Sequence, residues 1–243
     1  MLTVERSNRT ERLFEGLAGR LMAPGRNPLV TSTVVVQGPG MERWLSQSIA
    51  REYGICANTE FIFPRAFLER VFARIEGGTK PAPGIWDGGR LVWAVAGQLE
   101  ALREDPDFAS LALHLDAPDG EWRLVQLAGE IAGMLDRYAT HRPQWLHDWC
   151  AGRNLPPDGD ARWQGRLVQA LAAASEDRPF ADRALQVLDT LESPSAQAAL
   201  AEAWPRGVEV FAVSTLLPVD LAVLDRVSQV VDVHLSILSP SRQ

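Results

Sequence analysis

The sequence predicts an α/β protein, a parallel sheet into which a mainly helical segment is inserted. Three observations predict it. β-branched runs at residues 31–36 and 208–213 read as buried strands. The early strands alternate with segments of helical period. Residues 89–191 then carry amphipathic helix patterns with no convincing strand between them.

Residues 2–5 read as the first strand. Ser7-Asn8 offers an N-cap before Leu13, Phe14, Leu17 and Leu21 at helical spacing, and Pro24-Gly25 closes that helix. A strand at 31–36 leads to a helix at 41–53, with Trp44, Leu45, Ile49 and Ala50 on one face and Gly54 ending it. Pro64 opens a helix at 65–75 that buries Phe67, Leu68, Val71 and Phe72. The Gly/Pro-rich loop at 77–84 marks a boundary. Helices follow at 89–104, 120–140, 162–175 and 180–191, punctuated by Arg142-Pro143 and Leu155-Pro-Pro157. Strand character returns at 208–213, then a helix at 219–228 and a last strand at 230–237. The expected organisation is an α/β domain from residues 1–76 and 205–243, with an inserted helical domain at 77–204. The sequence breaks off just after a buried strand, which implies a piece of a longer protein.

At 243 residues and 46% hydrophobic content the chain can bury a full core. No apolar run approaches the roughly 20 residues a membrane helix needs. Cys56 and Cys150 lie far apart, which fits a reducing cytoplasm and forms no metal-ligand cluster. The net charge of −7 argues weakly against a simple nucleic-acid-binding domain. It is unevenly spread: residues 1–80 hold 11 Lys/Arg against 8 Asp/Glu, and residues 81–243 hold 13 against 23. A basic stripe can exist inside an acidic protein, so the total decides little.

The segment Thr33-Val-Val-Val-Gln-Gly-Pro-Gly-Met-Glu-Arg-Trp44 has the strand–turn–helix layout in which nucleotide-binding folds cradle phosphate. The lysine and the Ser/Thr such a loop needs are absent. Gly38, Pro39, Gly40 and Met41 form a degenerate phosphate loop, and the sequence's one lysine, Lys80, lies in an unrelated stretch. The pattern predicts a nucleotide-hydrolase fold kept for binding, with no ATPase activity. No Ser-His-Asp arrangement or carboxylate pair marks a catalytic centre. His141, His147 and Cys150 lack a fourth ligand at zinc spacing. Trp44, Trp93, Trp122 and Trp145 sit beside aliphatics at helical spacing and read as core, whereas Trp86 reads as ligand-facing.

Several blocks resemble the N-terminal region of the RecC family, the gamma subunit of the bacterial exonuclease V (RecBCD) complex. They are Ser7-Asn8-Arg9; Val36-Gln-Gly-Pro-Gly-Met-Glu-Arg-Trp-Leu45; Gly54-Ile-Cys-Ala-Asn58 with Phe61 and Pro64; Asp136-Arg-Tyr138 with Arg142-Pro-Gln-Trp-Leu146; and Leu217-Pro218 through His234-Leu235. The resemblance implies a superfamily-1 helicase-like fold whose ATPase has decayed. It implies a subunit without an active site that channels single-stranded DNA between a RecB-like helicase-nuclease and a RecD-like helicase, and scans it for a recombination hotspot. ATP and magnesium would be used by those partner subunits, with no cofactor bound by this chain. A protein-interaction scaffold that docks the helicase subunits is the alternative, and the acidic half favours it.

The resemblance carries four DNA-reading positions onto Gln37, Asp136, Arg142 and Arg183, and Arg43 and Arg65 are added as phosphate contacts. Each has a plainer reading. Gln37 is either a base-edge contact or an amide that stabilises a turn. Arg142 either stacks on a base or pairs with Asp136. Arg183 is either a DNA contact or a solvated surface residue. Pro39, Arg43, Glu69 and Gly133 depart from the family pattern of a hydroxyl, an amide, an aromatic and an acid, which counts against recognition of the same hotspot and leaves a different one open.

Overall fold

The computed structural model describes residues 1–77, 84–156 and 161–239. In chain order its elements are β1 (Leu2–Ser7), α1 (Thr10–Leu21), β2 (Ser32–Val36), α2 (Pro39–Tyr53), β3 (Thr59–Ile62), α3 (Pro64–Ile75), α4 (Gly89–Ala101), α5 (Ala109–Leu115), α6 (Gly120–His141), α7 (Pro143–Cys150), α8 (Arg162–Ala173), α9 (Phe180–Thr190), α10 (Pro194–Ala203), β4 (Val208–Phe211), α11 (Pro218–Ser228) and β5 (Val233–Leu238). The chain divides into two compact units, Met1–Lys80 with Val187–Gln243, and Pro81–Gln186.

The first unit is built on a five-stranded sheet in the order β1-β5-β4-β2-β3, and every pairing is parallel. The β-branched residues Val34, Val35 and Val36 are buried because β2 is an interior strand covered on both faces. Val34 and Val36 pack with Leu13 and Leu17 of α1, Leu45 and Ile49 of α2, and Phe211 of β4. The chain leaves β2 outward through α2 to β3, and leaves β4 the opposite way through α11 to β5. The winding therefore reverses between β4 and β2. In open α/β sheets that point, at the carboxyl ends of the strands, is where ligands bind.

One ion pair ties α1 to the sheet. The Arg20 guanidinium donates to both carboxylate oxygens of Glu209, with Nε at 3.0 Å and Nη2 at 2.9 Å, and reaches Glu5 at 3.4 Å. Burial works against the charge of Arg20, but its hydrogen bonds to Glu209 and Glu5 outweigh that and hold its pKa above the usual arginine value.

The second unit is helical. Leu91, Val95 and Leu99 of α4 meet Ala128, Ile131 and Leu135 of α6, with Leu146 and Trp149 of α7 and Leu167, Val168 and Leu171 of α8 completing the core. The three- and four-residue spacing of those positions is the apolar stripe of a surface helix.

The structure adds β3, α5, α7 and α10 to the sequence reading. Prolines explain two of these. Pro143, read as punctuation, stands at the first turn of α7, and Pro194 takes the same place in α10; a missing N–H costs nothing there. Ser193 caps α10 by accepting the Ala196 N–H at 3.3 Å. Helix α10 packs on α3, with Trp204 and Phe67 rings 5.3 Å apart, so residues expected in the helical segment 77–204 here belong to the sheet unit. The last strand also starts later than expected. Val231 N–H still bonds Val227 O at 2.9 Å, which prolongs the helical turn past α11.

Candidate nucleic-acid interface

The carboxyl edge of the sheet gathers three of the six sequence-derived DNA positions. Gln37 follows β2, Arg65 lies in the first turn of α3 directly after β3, and Arg43 is exposed on α2. At the reversal point Gln37 Oε1 accepts two hydrogen bonds from Ser214, from Oγ at 3.0 Å and from N–H at 3.3 Å. The turn that brings Ser214 there passes through Ala212, a non-glycine residue at φ 49°. Such a conformation costs about 1 kcal/mol or more and persists only where its surroundings hold it. Ala212 N–H is fixed to Ser236 O at 2.9 Å. The amide of Gln37 thus stitches β2 to β4 through its oxygen, as the turn-stabilising reading expects. Its Nε2 donors have no partner among the described residues.

The degenerate phosphate loop is a short link. Gly38 precedes α2 with extended backbone, and Pro39, Gly40 and Met41 already lie in the helix. Pro39 has no N–H, and the Met41 and Glu42 amides both turn back to Gly38 O, at 3.1 and 3.2 Å. Few donors remain to cradle an anion, and Glu42 places a carboxylate in the same turn. A Cβ at Gly38 or Gly40 would meet nothing within 4 Å, so neither glycine is needed for close approach. Lys80 lies outside the described residues.

Arg65 is a cation in a helix's first turn, which the helix dipole disfavours. Glu69 compensates at 3.4 Å one turn on. Nearby Asp220 is mostly buried, and burial raises its pKa against the opposing pull of the Leu217 N–H and the Arg65 charge. Two residues of the block at 54–58 have conformational reasons to be what they are. Gly54 ends α2 at φ 82°, and Asn58 adopts φ 52°, where its Nδ2 donates to Pro28 O.

Asp136, Arg142 and Arg183 belong to the second unit. Arg142 joins α6 to α7, and its guanidinium lies over the Trp145 ring, 5.6 Å from the centroid, while donating to His141 O at 3.1 Å. Trp145 packs on Tyr138 at 5.4 Å and on Trp149 at 5.6 Å. Trp149 is buried, with its indole N–H on Asn154 O, and Tyr138 donates to Gln164 Oε1 at 2.9 Å. The result is a ladder of rings rooted in the core, with Trp145 and Arg142 at its exposed end. The Arg142–Asp136 ion pair weighed from sequence is not formed. Asp136 is exposed and its carboxylate has no partner among the described residues. Arg183 is half-buried rather than a freely solvated residue.

A polar bridge fixes the helices that carry these groups. His147 Nδ1 of α7 meets Asp182 Oδ1 of α9 at 2.6 Å, and Gln186 Nε2 donates to Asp182 Oδ2 at 2.9 Å. Burial, with Asp182 adding to it, pushes the nearby Cys150 thiol up to about 12. Cys150 is therefore an inert thiol. Sequence reasoning noticed His147 and Cys150 but missed Asp182, which is 35 residues from its partner in the chain. It also missed Ser214, whose role depends on the strand order.

The tryptophans reverse two expectations. Trp86 is not ligand-facing; it packs on the helical core and donates its indole N–H to Asp177 O at 3.2 Å. Trp93, Trp122 and Trp145, read as core, are 67%, 75% and 44% exposed, and Trp44, also read as core, is 36% exposed although its ring packs on Phe14 and Phe211. Helical spacing beside aliphatics places a residue near the buried stripe but does not fix which side of its edge the residue takes.

The family model described as "RecC, N-terminal domain" matches residues 2–243. Similar curated proteins include the RecBCD enzyme subunit RecC of Mycolicibacterium smegmatis, 32% identical over 99% of this chain and 21% of the relative. The Escherichia coli K12 subunit of the same name is 29% identical over 100% of this chain and 22% of the relative. That of Haemophilus influenzae is 28% identical over 100% of this chain and 24% of the relative. The chain thus spans about a fifth of the length of these relatives.

Proposed function

The chain belongs to the RecC N-terminal-domain family, and from that premise we propose that it is a DNA-guiding, hotspot-scanning part of a RecBCD-type helicase/exonuclease complex. The observation that carries the proposal is the end-to-end family match, residues 2–243. In this reading the protein acts in double-strand-break repair and homologous recombination in the cytoplasm, beside RecB-like and RecD-like subunits that use the ATP and magnesium. Its sheet unit is a superfamily-1 helicase-like domain that has lost its ATPase, with the helical unit as the insertion. Among the described residues no helix is long and apolar enough to cross a membrane.

The chemistry of the two edges supports the DNA-guiding role. Trp145, backed by Tyr138 and carrying Arg142 on its face, offers a base a ring to stack on and a phosphate a guanidinium. Gln37 offers two amide donors to a base edge while its oxygen is held by Ser214. Arg43 and Arg65 supply charge beside it. The test is photo-crosslinking of the assembled complex to single strands bearing 5-iododeoxyuridine at successive positions. Crosslinks to Tyr138 or Trp145 support the reading, and crosslinks confined to other subunits refute it.

The second reading, a scaffold that docks the helicase subunits with little DNA contact, has one observation in its favour. The helical unit exposes Trp93 and Trp122, and Glu100, Asp119 and Glu121 line the hollow beside Trp122, where a phosphate backbone is repelled.

A further inference from the structure

Trp122 stands on the first turns of α6 as a ridge between two hollows. One, of about 630 Å³, is lined by Glu100, Arg103, Leu115, Pro118, Glu121 and Leu124 among others. The other, of about 400 Å³, includes His114, Arg123, Gln126, Leu127 and Glu130, and Asp119 touches both. The ridge is held in place by a close approach. A Cβ at Gly120 would come within 2.5 Å of Leu115 O, so only glycine lets the chain turn this tightly from α5 into α6. Trp122 has no ring partner among the described residues and is 75% exposed. Leu113, 76% exposed, extends the apolar character onto α5. Trp93 lies on the stripe of α4 that carries Glu100, two turns earlier.

Charge selects the occupant. Glu100, Asp119, Glu121 and Glu130 face the two hollows against Arg103 and Arg123, and Arg103 is already paired with Asp116. Four carboxylates around an indole repel a phosphate backbone and repel a second copy of this acidic unit. They attract a Lys or Arg whose stem lies on Leu115 and Leu124 and whose head lies over the Trp122 face. We propose that the Trp122 ridge docks a basic segment of a partner subunit. The proposal rests on the docking reading above and names its surface and the chemistry of its partner.

The test uses the full-length chain assembled with its partner subunits, with benzoylphenylalanine placed at position 122. Illumination is expected to yield a crosslink to a Lys/Arg-rich peptide of a partner subunit. The double substitution Glu100→Lys with Glu130→Lys is expected to weaken assembly about 10-fold at low salt, with an unchanged melting temperature because both side chains are exposed and neither lies in a helix's first turn. A crosslink to DNA or to the same chain overturns the proposal, as does assembly indifferent to the charge reversal. The same photoprobe at position 29 or 221, both exposed on the sheet unit, separates failure of this face from failure of subunit docking as a whole. If position 122 reaches no partner but 29 or 221 does, docking stands and this face falls. If none of the three reaches a partner, the docking reading falls too.

Discussion

Gln37 and Ser214 meet where the sheet reverses its winding, the glutamine oxygen accepting from the serine hydroxyl at 3.0 Å and from its N–H at 3.3 Å. The bond orients the amide, so that its two donors are turned away from Ser214. Ser214→Ala removes the stronger of these bonds at an exposed site, and is expected to cost about 0.5–1 kcal/mol in urea unfolding. In the assembled complex Gln37→Ala and Ser214→Ala are both expected to change the preference among single-stranded sequences more than the mean affinity. An equal loss across all sequences would reduce Gln37 to a structural role.

ATP is expected neither to bind nor to be hydrolysed by this chain alone. The turn that would cradle phosphate has lost its donors to Pro39 and to the Gly38 carbonyl, and adds Glu42. Equilibrium dialysis with ATP and magnesium measures this directly. Restoring a lysine by Met41→Lys is expected to leave binding undetectable, because the backbone there is helix and not loop.

Arg20→Ala is expected to destabilise the protein by about 3 kcal/mol, since it strands the buried Glu209 carboxylate without a partner. Replacing both residues by Met is expected to cost much less. Chemical denaturation of the two variants distinguishes a needed pair from a merely tolerated one, and equal losses would contradict the assignment.

Three carboxylates set the acid limit. The Arg70 hydrogen bond holds Glu60 below the usual 4.5. The Asp107 N–H does the same for Asp105, and the Asn154 amide for Asp148, both below 3.8. Each binds a proton more weakly folded than unfolded, so its contribution is full above the unfolded value and is lost as pH falls through the lower folded value. Stability is expected to drop below about pH 4.5, and Arg70→Ala is expected to move the Glu60 titration upward, as carboxyl NMR shifts would record.

Much of this architecture is written in local pattern. The buried strands at Val34–Val36 and Val208–Phe211 declare themselves by β-branching, and the stripe Ile131, Leu135 by its spacing. What the pattern omits is longer-range. Thr59–Ile62 is too short and too polar to read as a strand; it forms because β2 offers a parallel edge. Pro64 is legible as a helix start, but Pro143 reads as a break although it starts α7. Of the site, the motif positions Gln37 and Arg142 could be named, but not their partners. Ser214 is 177 residues from Gln37, and the partner of Arg142 is the Trp145 ring rather than Asp136.

In the assembled complex the Arg142–Trp145 end of the ring ladder is expected to touch single-stranded DNA. The most direct measurement is single-strand affinity of the assembled complex across a salt series, for the parent and for Arg142→Ala with Trp145→Ala. The double variant is expected to lose at least about 10-fold in affinity and to show a slope of log K against log salt shallower by about 0.7, one phosphate contact. Unchanged affinity and slope in a complex that still assembles would contradict it.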